Sequence, residues 1–152
     1  MPGVILAIVR PDLDVSLAES VQKRARAVDD IVGRLALPVP VHAMRAEELL
    51  ALSNYESVLI RAVARLPKLL TWLAPHWGAF DRVLLIKGPA WTEERYEARQ
   101  RRLLDGLQLR RKATYPMPGA AGESVVLEIQ RKQDGPVAKR SKHQRRKRRG
   151  KP

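Results

Sequence analysis

The sequence predicts an α/β fold of the doubly wound kind, and three observations carry that expectation. Short apolar runs suited to buried strands alternate three times with helical segments. The last two strand-like runs, Leu107 to Tyr115 and Ser124 to Arg131, flank a loop rich in Pro and Gly and read as an antiparallel pair. Between them and the N-terminus lies the clearest unit, Tyr55 to Leu73. Its run Ser57-Val58-Leu59-Ile60 is too short for a helix and suits a buried strand. The chain turns polar at Arg61 and restarts at Pro67, a residue fitted to a first helical turn, with Leu69, Leu70 and Leu73 following at helical spacing. Strand, charged turn and helix make half of a βαβ unit. Ligands of such sheets bind at the carboxyl ends of the strands, which makes Arg61 the first residue to question.

The other elements follow in order. Met1 to Val9 is apolar almost from its first residue, whereas chain ends are usually exposed and polar; it has the character of the inside of an element, and Pro11 closes it. Asp14 to Glu19 alternates and ends on an acid, reading as a strand that leads into a helix from Ser20 to Leu37. In that helix Val21, Ala25, Val28, Ile31, Val32 and Leu35 form one apolar face. Pro38 and Pro40 bracket the turn into a short strand, Val39 to Ala43. A helix from Ala46 to Leu52 carries Glu47 and Glu48 in its first turn, where the helix dipole favours acids. After Pro75 and Gly78 comes a strand from Asp81 to Ile86, ended by Lys87-Gly88-Pro89, which reads as a turn. Thr92 is placed to cap the next helix, Glu93 and Glu94 suit its start, and its charge puts it on the surface as far as Leu104, with Gly106 ending it. Trp72 and Trp77 read as packing residues, although an aromatic beside a site can stack on a base.

Composition narrows the function. With 152 residues the chain is long enough for one domain with a real core, and 45% hydrophobic against 30% charged residues fits a folded protein. There is no cysteine, which removes disulfides, thiolate zinc sites and cysteine nucleophiles and makes a reducing cytoplasm the expected compartment. No apolar run has the length of a membrane span. His42, His76 and His143 are scattered and read as structural or solvent residues, so no metal site is expected.

The net charge of +13 is unevenly spread. Residues 139–152 hold nine Lys or Arg and no acid; without them 20 basic residues face 16 acidic ones, a balance of +4. The expected division is therefore a folded domain over 1–132 and a disordered basic tail over 133–152. Lys139, Arg140, Lys142, Arg145, Arg146, Lys147, Arg148 and Arg149 are dense enough to bind phosphates by counterion release, without reading sequence. An address signal is the other use of such a run.

Several segments together resemble the bacterial small-subunit ribosomal RNA methyltransferase G family, also called glucose-inhibited division protein B. They are Pro2-Gly3-Val4-Ile5-Leu6-Ala7-Ile8 with Arg10-Pro11-Asp12, Glu19-Ser20 with Gln22-Lys23-Arg24, Arg45-Ala46-Glu47-Glu48, Arg61-Ala62-Val63-Ala64, Lys87-Gly88, and the final strand Glu123 to Lys132. Each is weak alone; the ordered set from Met1 to Lys132 is specific. The resemblance implies a class I S-adenosylmethionine-dependent methyltransferase sheet with a C-terminal antiparallel hairpin. It also implies methylation of guanosine N7 in 16S ribosomal RNA, with the small ribosomal subunit as partner, no membrane, no metal and a monomeric state. It gives Glu19 the cofactor-ribose role, sets Ala46 and Glu47 at the adenine and places Arg61 beside the cofactor. No catalytic base is implied, because N7 of guanine already carries an exposed lone pair and alignment with exclusion of water suffices.

The sequence departs from that family at its front. The Gly-rich turn that cradles the cofactor's methionine end is expected just before Pro2 and the first strand before that, and this sequence shows neither. That strand is central, between the second and the fourth, so a gap with unpaired backbone groups is expected in the middle of the sheet. A misplaced start codon, a true truncation and a split protein whose other half is supplied separately all stay open. So do two functions: an active methyltransferase, or an inactive remnant attached to RNA through its basic tail. A different substrate on the same fold is a third.

Overall fold

The computed structural model describes residues 2–61, 63–116 and 122–132. Its elements are α1 (Pro2–Val9), β1 (Leu17–Ala18), α2 (Gln22–Arg34), β2 (Val41–His42), α3 (Ala46–Leu52), β3 (Tyr55–Arg61), α4 (Leu66–Leu73), a 3-10 turn (Ala74–His76), β4 (Phe80–Lys87), α5 (Trp91–Gln100), β5 (Leu107–Pro116) and β6 (Glu123–Arg131).

The strands fall into two sheets. One is the parallel pair β1–β2, in which Leu17 pairs with Val41 and Ala18 with His42. The other has the order β3-β4-β6-β5, with β3 and β4 parallel and β6 antiparallel to both of its neighbours, β4 and β5. The α/β alternation expected from sequence is present, and the strands fall into two separate sheets divided between β1 and β3, where a gap was expected. The two C-terminal strands do pair with each other, yet β6 also inserts beside β4 and leaves β5 at the edge. That edge strand is protected by charge, with Arg110, Arg111 and Lys112 all exposed.

One face of the four-stranded sheet holds the main core. Val83 and Leu85 of β4 and Leu127 and Ile129 of β6 are at most 1% exposed, and they meet Leu66, Leu69, Leu70 and Leu73 of α4 and Ala98 of α5. Alternation along β4 and β6 supplies this face, and the 3.6-residue period supplies the stripe on α4. Trp72 and Trp77 pack against this core half-buried, and Trp77 sets its ring 4.9 Å from that of Phe80 in a tilted contact. A smaller core joins Ala7 of α1, Leu17 of β1, Val28 and Val32 of α2, and Val39. Gly3 lets α1 approach β1 closely: a Cβ there would run into the Leu17 side chain.

Three expectations need correction. The apolar face of α2 is narrower than its composition: Ala25, Val28 and Val32 are buried, whereas Val21, Ile31 and Leu35 are 44%, 48% and 48% exposed. A two-stranded sheet offers too little surface to cover so broad a stripe. Thr92 does not cap α5; Ala90 occupies the N-cap and makes no side-chain bond. Nor is α5 merely a surface helix, since Trp91, Glu94 and Ala98 are buried.

Candidate cofactor site

The sequence-predicted residues Glu19, Ala46, Glu47 and Arg61 all stand at the carboxyl ends of parallel strands or in the turns that follow. Glu19 comes directly after β1, and its backbone N–H donates to the carbonyl of His42 on β2 (3.0 Å). Its carboxylate oxygen Oε1 accepts the Val21 N–H at 2.9 Å and the Arg24 guanidinium at 3.0 Å. The Val21 N–H, ahead of the Arg24 contact, holds the Glu19 carboxyl below its ordinary value of 4.5 against an opposing effect of burial. Glu19 is thus an ionised acceptor with its side chain 17% exposed. Both of these bonds fall on one oxygen.

Ala46 opens α3. Arg45 before it is the N-cap, and its backbone N–H donates to the Glu48 carboxylate at 3.2 Å, a bond that ties down the helix start from one side. Glu47 pairs with the Arg45 guanidinium at 3.6 Å, so the helix dipole is only part of its setting. The side-chain amide of Gln22 donates to the Ala43 carbonyl at 3.3 Å and links the start of α2 to the turn after β2. Glu19 thus follows β1, and Ala46 and Glu47 stand in the first turn of α3, which follows the paired strand β2. Arg61 ends β3 in the other sheet, opposite Ile86 of β4, and its side chain is exposed. It forms no ion pair among the described residues, in contrast to a surface guanidinium pinned by a neighbouring acid.

Sequence reasoning missed what holds the turn after Arg61. Lys87 ends β4 and turns its ammonium to the Glu94 carboxylate of α5 at 2.7 Å and to the Ala64 carbonyl at 3.0 Å. The same Glu94 oxygen accepts the Leu66 N–H at 2.7 Å, satisfying a donor of the first turn of α4 from another helix. Lys87-Gly88-Pro89 is therefore more than a strand-ending turn: its lysine clamps the segment between β3 and α4. The available signal was an acid one helical turn inside α5, facing the same side as Trp91 and Ala98. The tail cations at 139–149 lie outside the described residues.

The sequence profile described as "GidB: rRNA small subunit methyltransferase G" matches residues 1–115. The chain belongs to this methyltransferase G family. A ribosomal RNA small subunit methyltransferase G from Rhodopirellula baltica is 52% identical over 128 residues, covering 84% of this chain and 55% of that protein. One from Thermobifida fusca is 42% identical over 100 residues, covering 65% and 42%. The chain thus spans about half the length of the curated methyltransferase G relatives it matches. Among solved structures, M. capricolum TrmK in complex with S-adenosyl-homocysteine superposes with a TM-score of 0.64 at 11% identity, over 85% of this chain and 56% of that one. That likeness shows the fold, the class I methyltransferase sheet. Among the described residues no group of three or more His, Asp or Glu side chains is placed to hold a metal, and no helix is long and apolar enough to cross a membrane.

Proposed function

We propose that this methyltransferase G chain carries the ribose- and adenine-binding half of an S-adenosylmethionine site, for methylation of guanosine N7 in 16S ribosomal RNA in the cytoplasm. The observation that carries the reading is Glu19: an ionised carboxylate, fixed at the end of β1 through one oxygen, with Ala46 and Glu47 at the neighbouring strand end. An acceptor-only carboxylate suits a pair of ribose hydroxyls, which can both donate to it. Ala46 leaves room for a flat base where the chain enters α3. The residues present fit the nucleoside end of the cofactor.

Bound S-adenosylmethionine supplies an electrophilic methyl group on its sulfonium. Guanine N7 would accept that methyl group on its own lone pair, leaving S-adenosylhomocysteine, with no proton for the chain to remove. The chain's task is then alignment and exclusion of water. Glu19 fixes the nucleoside, and Arg61 stands beside the cofactor at the end of β3. The tail cations from Lys139 to Arg149 anchor the RNA through its phosphates, sequence-independently. The state expected for the working protein is a monomer on the small ribosomal subunit.

Calorimetric titration of S-adenosylhomocysteine into the chain tests the reading. Binding that is lost on Glu19→Ala supports it. Binding indifferent to that substitution removes the ribose assignment. A folded chain with no affinity at all would leave RNA attachment, without methyl transfer, as its function.

A further inference from the structure

Three cations outside any ion pair among the described residues gather away from the proposed cofactor site. Arg95 and Arg99, one turn apart on α5, and Lys132, just past β6, line an open groove of about 300 Å³ with Leu104, Leu107 and Leu109 on its floor. Asp105 is the one acid in the lining. A second hollow of about 230 Å³ adjoins it, sharing Arg95 and Arg99 and adding Thr92 and Tyr96. Among the described residues none of the three cations is in an ion pair. Glu97, which lies between the two arginines in sequence, is committed to Arg65 at 3.0 Å and Arg101 at 3.4 Å.

The groove has the parts that a single-stranded nucleic acid needs. Arg95 lies 5.7 Å from the Trp91 ring centroid, a stacked position that fixes the guanidinium plane while its edge donors remain usable. Tyr96, 67% exposed beside it, offers an aromatic face on which a base of any sequence can stack. Arg99 and Lys132 add charge to the lining. In the sequence Lys132 stands seven positions before Lys139, the first cation of the basic run. Arg82 pairs with Gln130 and Leu107 with Arg131, so the groove lies at the edge of the sheet where β4 begins. The other end of α5 meets the Lys87 turn through the Trp91 N–H, which donates to the Gly88 carbonyl at 3.2 Å.

We infer that the Arg95–Arg99–Lys132 groove, with Tyr96, binds the backbone and one base of a single-stranded RNA segment, at the edge of the sheet away from the carboxyl strand ends. This rests on the RNA substrate proposed above. The test uses the full chain and a fluorescently labelled oligouridine of about twelve nucleotides, a length within the usual range of such sites. Affinity is measured across a salt series.

The Arg95→Ala/Arg99→Ala chain is expected to bind about tenfold more weakly at low salt, with the slope of log K against log salt reduced by about 1.4, or about 0.7 for each lost phosphate contact. Arg99→Ala/Lys132→Ala, which leaves the Trp91 stack intact, should do the same and guards against a folding defect. Tyr96→Ala should weaken binding roughly fivefold or more, and Tyr96→Phe should restore it. Affinity for S-adenosylhomocysteine should not change in any of them. Wild-type affinity and slope in both double variants, while removal of residues 139–152 alone abolishes binding, would overturn the groove and leave the RNA reading standing. No RNA binding by the unaltered chain would overturn both.

Discussion

Lys87 Nζ lies 2.7 Å from Glu94 Oε2, with the two side chains only 11% and 10% exposed. Neither charge is there for solubility. The pair joins the end of β4 to α5, and through Ala64 and Leu66 it holds both sides of the turn that follows Arg61. A buried pair whose remaining bonds go to backbone groups fixes position more than it adds stability.

Breaking that pair from one side is therefore expected to be costly. Glu94→Ala leaves a buried ammonium and an unmatched Leu66 N–H, and should lower the free energy of unfolding by about 3 kcal/mol. Lys87→Met/Glu94→Leu, which removes both charges, should recover most of the loss. Urea denaturation of the three chains checks this; equal destabilisation by single and double variants would show that the clamp is not what matters.

For the cofactor site, Glu19→Ala should weaken S-adenosylhomocysteine binding at least tenfold, the scale of losing hydrogen bonds to a charged acceptor. Arg61→Ala should weaken it less, because Arg61 lies in the other sheet. Isothermal titration of both variants measures the order, and a larger effect at Arg61 would reverse the assignment of roles.

The pH dependence follows from the sign of the Glu19 shift. Its carboxyl titrates below 4.5 in the folded chain, so the acceptor is fully ionised at neutral pH and stays so through the ordinary carboxylate range. Its contribution to stability is present above the unfolded value and is lost as pH falls through the lowered folded value. Cofactor-product affinity should accordingly stay flat from neutral pH down to about 5 and drop only below the ordinary carboxylate range. Glu19→Gln should abolish that acid limb while leaving the neutral-pH fold unchanged by circular dichroism.

Removal of residues 139–152 takes away nine cations. It should weaken RNA binding most at low salt and flatten the salt dependence, with S-adenosylhomocysteine affinity untouched. Filter binding across a salt series gives both quantities, and an unchanged slope would mean that the tail does not touch phosphates.

Local chemistry made much of this chain legible. The helix Ala46–Leu52 has the expected bounds, because an acidic first turn and a Ser at its end mark it locally. β3 and β4 extend only a residue or two beyond the apolar runs that announce them. The sequence by itself determined the alternation of elements and the placement of Glu19, Ala46, Glu47 and Arg61 at strand ends, since periodicity and turn residues act over a few positions. It also determined the family, because an ordered set of motifs survives where any one would be weak.

Only the tertiary structure decided that β6 inserts beside β4, which half of the α2 stripe is covered, and where Lys87 and Glu94 go. The two residues are seven positions apart, and each looks like an ordinary surface charge in its own segment. Their burial depends on β4 and α5 packing face to face, and on a backbone carbonyl and N–H arriving from a third segment. The same holds for the groove of Arg95, Arg99 and Lys132: the two arginines are helix neighbours, but Lys132 joins them because β6 returns alongside β5. Long-range pairing, which no local pattern encodes, made these sites.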